Sequence, residues 1–104
     1  MSTYVEQERH FILFLVSCIN SQGKLILSNV TDVQIKTLSE IAYNLLELPL
    51  SKSEKAFIDK KRTLLNKLSR KKLSTSEKRE LIAAKRASIL KIIKKFKKIL
   101  LQVT

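Results

Sequence analysis

From Thr31 onward, apolar and polar residues alternate with the period of a helix. In "TDVQIKTLSEIAYNLLEL" (31–48), Leu38, Ile41, Ala42, Leu45 and Leu46 fall on one face. Pro49 ends that element, because the residue before a proline avoids helical geometry. A second stripe follows at Phe57, Ile58, Leu64, Leu65 and Leu68, and "SRKKLS" (69–74) makes the next bend. A third stripe runs through Ile82, Ile89, Ile92, Phe96, Ile99 and Val103, interrupted at Lys85 and widened by Ile93 and Leu100. This spacing predicts one helix from near Thr75 to Val103, a rod of about 40 Å at 1.5 Å per residue. Its opposite face carries Lys91, Lys94, Lys95 and Lys98. The patterning is coiled-coil-like over about three heptads.

Three sequences fit capping boxes: Thr31 with Gln34, Ser51 with Glu54, and Ser74 with Glu77. In each, the hydroxyl can accept the third helical N–H while the longer side chain reaches back to the cap N–H. Val30 and Ile35 are placed to add a hydrophobic staple. Before Thr31, "FILFLVSCI" (11–19) predicts a buried first helix from about Tyr4 to Ile19. It stops ahead of Ser21-Gln22-Gly23, and a short helical turn follows over Lys24–Ser28.

No strand alternation extends beyond a few residues, and no repeat or low-complexity linker occurs. The expected architecture is all-α: a bundle of four to five helices with a long, amphipathic, basic C-terminal helix. A length of 104 residues suits a single helical domain over 1–104 with one modest core. One Gly and one Pro leave few positions for tight turns.

Charge changes this picture most. Residues 1–50 hold Arg9, Lys24 and Lys36 against Glu6, Glu8, Asp32, Glu40 and Glu47, a net of −2. Residues 51–104 hold the other 18 Lys and Arg against Glu54, Asp59, Glu77 and Glu80, a net of +14. The division near Pro49 separates charge regimes rather than domains, since neither half alone buries much. A half this cationic repels itself unless an anion is near. Nucleic acid, an anionic bilayer or an acidic protein each supplies one.

The densest block is Lys60–Arg86. Lys60, Lys61, Arg62, Lys67, Arg70, Lys71 and Lys72 cluster around one helix and its exit, and Lys78, Arg79, Lys85 and Arg86 open the next. Two cationic helices joined by a basic bend can follow a phosphate backbone, with contacts that position a protein without reading sequence. Stacking of bases is not expected, because the basic half has only Phe57 and Phe96, both on apolar stripes. The apolar face of Ile89, Ile92, Phe96, Ile99 and Val103 is expected to pack on the rest of the chain or on a second copy. Opposite lysines, it also describes an interfacial membrane helix.

Other chemistry is thinly represented. His10 has no Cys or acid at a ligand spacing, and Cys18 sits in an apolar run. A single cysteine excludes an intrachain disulfide framework and a cysteine-rich zinc site. One glycine excludes a phosphate-binding glycine loop. Ser69-x-x-Lys72 and Ser88-x-x-Lys91 have a nucleophile–lysine spacing that chance supplies at this lysine content. No enzymatic activity, metal or cofactor is expected. Phe11–Ile19 is shorter than the roughly 20 apolar residues of a transmembrane helix. Its acidic leader argues against a signal peptide and against the lipoprotein-like reading of "LVSC" (15–18). Asn29-Val30-Thr31 is a glycosylation sequon that serves more simply as a helix start.

The segment "TLSEIAYNLLELPLSKSEKAFIDKKRTLLNKLSRKKLSTSEKRELI" (37–82) resembles a small basic protein of Polinton/Maverick elements and their viral forms, the adintoviruses. The likeness lies in a leucine-rich "SEIA-N-L" helix, a short break with Leu, and a Lys/Arg-rich helix, preceded by "SNVTDVQIK" (28–36). Such proteins are encoded beside capsid genes and are likened to the adenoviral mu-type DNA-condensing core peptide. The resemblance implies that Lys60–Arg86 contact DNA, in a virion or a host nucleus. Where the family follows its basic block with two glycines and a hydrophobic tail, this chain continues as "AAKRASILKIIKKFKKILLQ" (83–102).

The first reading is therefore a non-enzymatic protein that binds nucleic acid, DNA foremost, without marked sequence preference. The alternatives are a membrane-active or membrane-surface protein acting through 89–103, and an oligomeric interaction module whose basic face meets an acidic protein.

Overall fold

The structure is a computed structural model and describes residues Thr3 to Gln102. Among these residues the chain forms eight helices and no strand. They are α1 (Thr3–Gln7), α2 (Arg9–Ser17), α3 (Asn20–Leu27), α4 (Asp32–Glu47), α5 (Lys52–Ser69), α6 (Thr75–Ala84), α7 (Arg86–Lys95) and α8 (Lys97–Gln102).

All three capping boxes form. The N–H groups of Gln34, Glu54 and Glu77 donate to the hydroxyls of Thr31, Ser51 and Ser74 at 3.1, 3.3 and 3.1 Å. The return bonds, from each cap N–H to the Gln or Glu side chain, are 3.0, 3.0 and 3.2 Å. These boxes start α4, α5 and α6. Leu48 adopts extended geometry (φ −72°, ψ 144°) ahead of Pro49 and stops α4. Val30 and Ile35 are both buried, as a staple requires.

The helices outnumber the four or five expected because two long elements are bent. The first expected helix divides at Glu8 (φ −105°, ψ 32°), although Glu8 N–H still reaches the Tyr4 carbonyl at 2.9 Å. The bend lets α1 lie on α4, where Glu40 Oε1 accepts Tyr4 N–H at 2.8 Å and Val5 N–H at 3.2 Å. The long C-terminal rod is likewise absent. It bends at Lys85 (φ −117°, ψ 31°) and at Phe96 (φ −104°, ψ 21°). Each joint residue is shared by the helices on either side: Lys85 N–H bonds Leu81 O at 3.0 Å and its carbonyl accepts Ile89 N–H at 3.0 Å, while Phe96 N–H bonds Ile92 O at 3.1 Å and its carbonyl accepts Leu100 N–H at 2.9 Å.

A straight rod of the expected length would overrun the 33 Å longest dimension of the molecule. Bending wraps its apolar face around the core instead. Ile82 on α6, Ile89, Leu90, Ile92 and Ile93 on α7, Phe96 at the joint and Leu100 on α8 are all buried.

The loop expected at Ser21-Gln22-Gly23 is also displaced. Extended backbone at Cys18 and Ile19 (ψ 160° and 158°) makes the turn, and Gly23 lies inside α3. Its backbone is not left-handed. Gly23 serves packing: a Cβ there would sit 2.6 and 2.8 Å from the Leu90 methyls and 3.0 Å from Cys18 Sγ. The missing side chain lets α3 close on α7, which also carries α2.

One hydrophobic cluster joins both charge halves: Val5, Ile12, Leu15, Leu27, Ile35 and Leu45 from the first with Ile58, Leu65, Ile82, Leu90, Ile93 and Phe96 from the second. Phe57 leans on Phe96 with ring centroids 5.9 Å apart. Of the residues expected to pack or self-associate, Ile89, Ile92 and Phe96 are buried in this cluster and Ile99 is partly buried against it. Val103 lies outside the described residues.

Candidate nucleic-acid interface

Once the apolar stripes are turned inward, the lysines and arginines sort into two groups. Lys60, Lys67, Arg70, Lys71, Lys72 and Lys85 are exposed and have no ion-pair partner among the described residues. Lys60 and Lys67 stand seven residues apart on α5, so they share one flank. Arg70, Lys71 and Lys72 occupy the bend between α5 and α6. These six keep the outward orientation that a phosphate contact needs.

The other five expected contact residues each have a partner on the chain, Arg62 at the exposed surface and the rest on neighbouring elements. Arg62 pairs with Asp59 at 2.7 Å along α5. Lys61 is half-buried, its Nζ 3.5 Å from Ser88 Oγ on α7. Arg79 donates to the Val30 carbonyl and, at 2.5 Å, to Asp32, locking α6 to the start of α4. Arg86 donates to Ser28 Oγ at 2.6 Å and holds α7 near the end of α3. Lys78 is buried, and its Nζ donates to Ser39 Oγ at 3.0 Å. Burial holds the Lys78 ammonium below the usual lysine range. Lys78 is the buried one of the five, and the others hold their partners while keeping part of the side chain exposed.

Other cations take their place. A groove of about 490 Å³ between α3 and α7 is lined by Asn20, Lys24, Ala87, Leu90, Lys91, Lys94 and Lys95. Lys94 Nζ is fixed at its wall by the Cys18 carbonyl (2.6 Å) and Asn20 Oδ1 (3.2 Å). Lys95 Nζ stands 5.5 Å from the centroid of the Phe57 ring. Lys97 and Lys98 are exposed beyond it on α8. Lys24 comes from the acidic half, which the charge count had set aside.

A second groove, of about 610 Å³, gathers Tyr4, Lys36, Ser39, Glu40, Tyr43, Asn44, Ser69, Lys71 and Lys78. It joins α1 and α4 to the basic bend. Lys36 Nζ stands 5.7 Å from the centroid of the Tyr4 ring. The two tyrosines lie far from the basic block in sequence and reach it only through the fold.

The acids explain why so much positive charge stays uncompensated. Glu54 and Glu77 turn their carboxylates to cap N–H groups. Hydrogen bonds from the Ser51 N–H and hydroxyl, helped by the charge of Lys95, hold Glu54 below the usual carboxylate range. Ion pairs among the described residues involve two cations, Arg62 and Arg79. Two of the four carboxylates of the basic half, Glu54 and Glu77, build helix starts and Asp59 pairs with Arg62, so exposed lysines such as Lys60, Lys67 and Lys72 have no ion-pair partner among the described residues.

No three His, Cys, Asp or Glu side chains among the described residues are grouped to hold a metal ion. Among the same residues, no helix is long and apolar enough to cross a membrane. No family model, curated protein or solved structure matches this chain. The functional reading therefore rests on the surface.

Proposed function

We propose that this protein is a non-enzymatic nucleic-acid-binding protein that grips phosphate backbones without reading sequence. The observation that carries the reading is the uncompensated cationic surface: exposed lysines on α5, the 70–72 bend, α7 and α8, with Glu54 and Glu77 committed to capping. Phosphates are the natural partner of such a surface, because each lysine that meets one releases condensed counterions. Contacts of this kind fix position and carry no base information. The resemblance to the basic protein of Polinton/Maverick elements favours DNA, in a virion or a nucleus.

The membrane and self-association readings need the apolar face of 89–103, and from Ile89 to Leu100 that face is turned into the chain's own core. Exposing Phe96 to a bilayer would require α7 and α8 to leave the bundle. An acidic protein remains the competitor for the same lysines.

Binding to labelled duplexes of unrelated sequence tests the proposal. Similar affinities at low salt, with steep loss as salt rises, are expected. Absence of binding at low salt, or a strong preference for one sequence, would overturn the reading. Purified protein is also expected to carry host nucleic acid, seen as excess absorbance at 260 nm.

A further inference from the structure

The groove between α1, α4 and the α5–α6 bend holds chemistry that the lysine surface does not. Two kinds of side chain meet in it. Lys36, Lys71 and Lys78 bring three cations against one carboxylate, Glu40. Glu40 Oε1 is engaged by the N–H groups of Tyr4 and Val5 at 2.8 and 3.2 Å. Lys78 Nζ has three protons to donate and, among the described residues, one acceptor, Ser39 Oγ at 3.0 Å. A buried ammonium with spare donors lining an open groove is suited to an anionic oxygen.

Tyr43 lines the same groove and is 56% exposed, and Tyr4 lines it beside Lys36. The volume, about 610 Å³, lies within the range of roughly 300–1,000 Å³ typical of small-molecule sites and is more than a bare phosphate needs. A ligand that uses the whole groove carries a negative group for the lysines and a planar ring for the tyrosine.

We infer that this groove takes one unpaired nucleotide of a single strand, its phosphate on Lys71 and Lys78 and its base on Tyr43. The inference rests on the nucleic-acid reading above and adds a preference to it. In a duplex the base faces are stacked on their neighbours and closed to Tyr43. In a single strand each base offers a face, so stacking favours the open strand without reading sequence.

The chain has two tyrosines and no tryptophan, and both tyrosines line this groove. Intrinsic tyrosine emission is therefore a local reporter. The full chain is titrated at low salt with oligothymidylate, with a duplex of equal length, and with thymidine monophosphate. The single strand is expected to quench the emission saturably, while the duplex binds with the emission unchanged. Tyr43→Leu is expected to weaken single-strand binding by on the order of tenfold and to leave duplex binding as it was. Tyr43→Phe, which keeps the ring, is expected to retain single-strand affinity.

Equal binding of both forms, with unquenched emission and an indifferent Tyr43→Leu, overturns the nucleotide site and leaves the phosphate-binding reading standing. Failure of both forms to bind overturns both. Quenching by the monophosphate but not by the strand assigns the groove to free nucleotides and overturns its role in strand binding.

Discussion

At the scale of single residues, Lys78 and Gly23 do work that their residue types conceal. Lys78 belongs to the basic block by sequence, yet it lies buried under Ser39 with its pKa lowered by desolvation. The unfolded chain therefore holds this proton more tightly than the folded one. Between the depressed folded value and the ordinary value of 10.5, stability contributed by this group rises with pH. Below that window its burial opposes folding. Lys78→Met is expected to stabilise the protein at neutral pH and to flatten the alkaline part of its stability profile, measured by urea unfolding across pH. A variant less stable than the parent at pH 7 would mean that the Ser39 bond outweighs desolvation. At Gly23, alanine gains about 1 kcal/mol of helix propensity but drives a methyl into Leu90, which is itself buried. Overpacking of that kind costs about 1–3 kcal/mol. Net destabilisation is expected, and it should shrink in the Leu90→Ala background, because the two sites share one space.

At the scale of helices, what could be read in advance was whatever is local. The three capping boxes are hydrogen bonds within four residues, so Thr31, Ser51 and Ser74 announce themselves. Pro49 does the same for the end of α4. Ser51→Ala is expected to cost about 1 kcal/mol by thermal or urea unfolding. The kinks at Glu8, Lys85 and Phe96 were not legible, because no Pro, Gly or capping box marks them in the sequence. They arise from packing: α1 must meet α4, and the apolar face of α6 to α8 must wrap a core shorter than itself. Gly23 misled in the opposite direction, since a lone glycine suggests a turn and here permits a close approach. Phe96 joins α7 to α8 and is buried against the core, so Phe96→Ala is expected to cost about 3–5 kcal/mol. The same burial leads us to expect no salt-resistant leakage of anionic vesicles from the folded protein. Leakage without loss of helical signal would contradict this arrangement of the last helices.

At the scale of the whole molecule, the sequence showed how much charge the second half carries but not which cations remain available. That depends on partners distant in the chain. Lys78 finds Ser39, Arg86 finds Ser28 and Lys94 finds the Cys18 carbonyl across 39, 58 and 76 residues. The same folding recruits Lys24, Lys36, Tyr4 and Tyr43 from the acidic half to the edges of the basic surface. The central claim is that exposed, unpaired lysines meet phosphates one by one. It is tested most directly by the slope of log affinity against log salt on duplex DNA, for the parent and for Lys60→Ala/Lys67→Ala/Lys72→Ala. At about 0.9 per contact, the triple variant is expected to have a slope shallower by about 2.7. A triple variant whose slope matches the parent's would contradict the account.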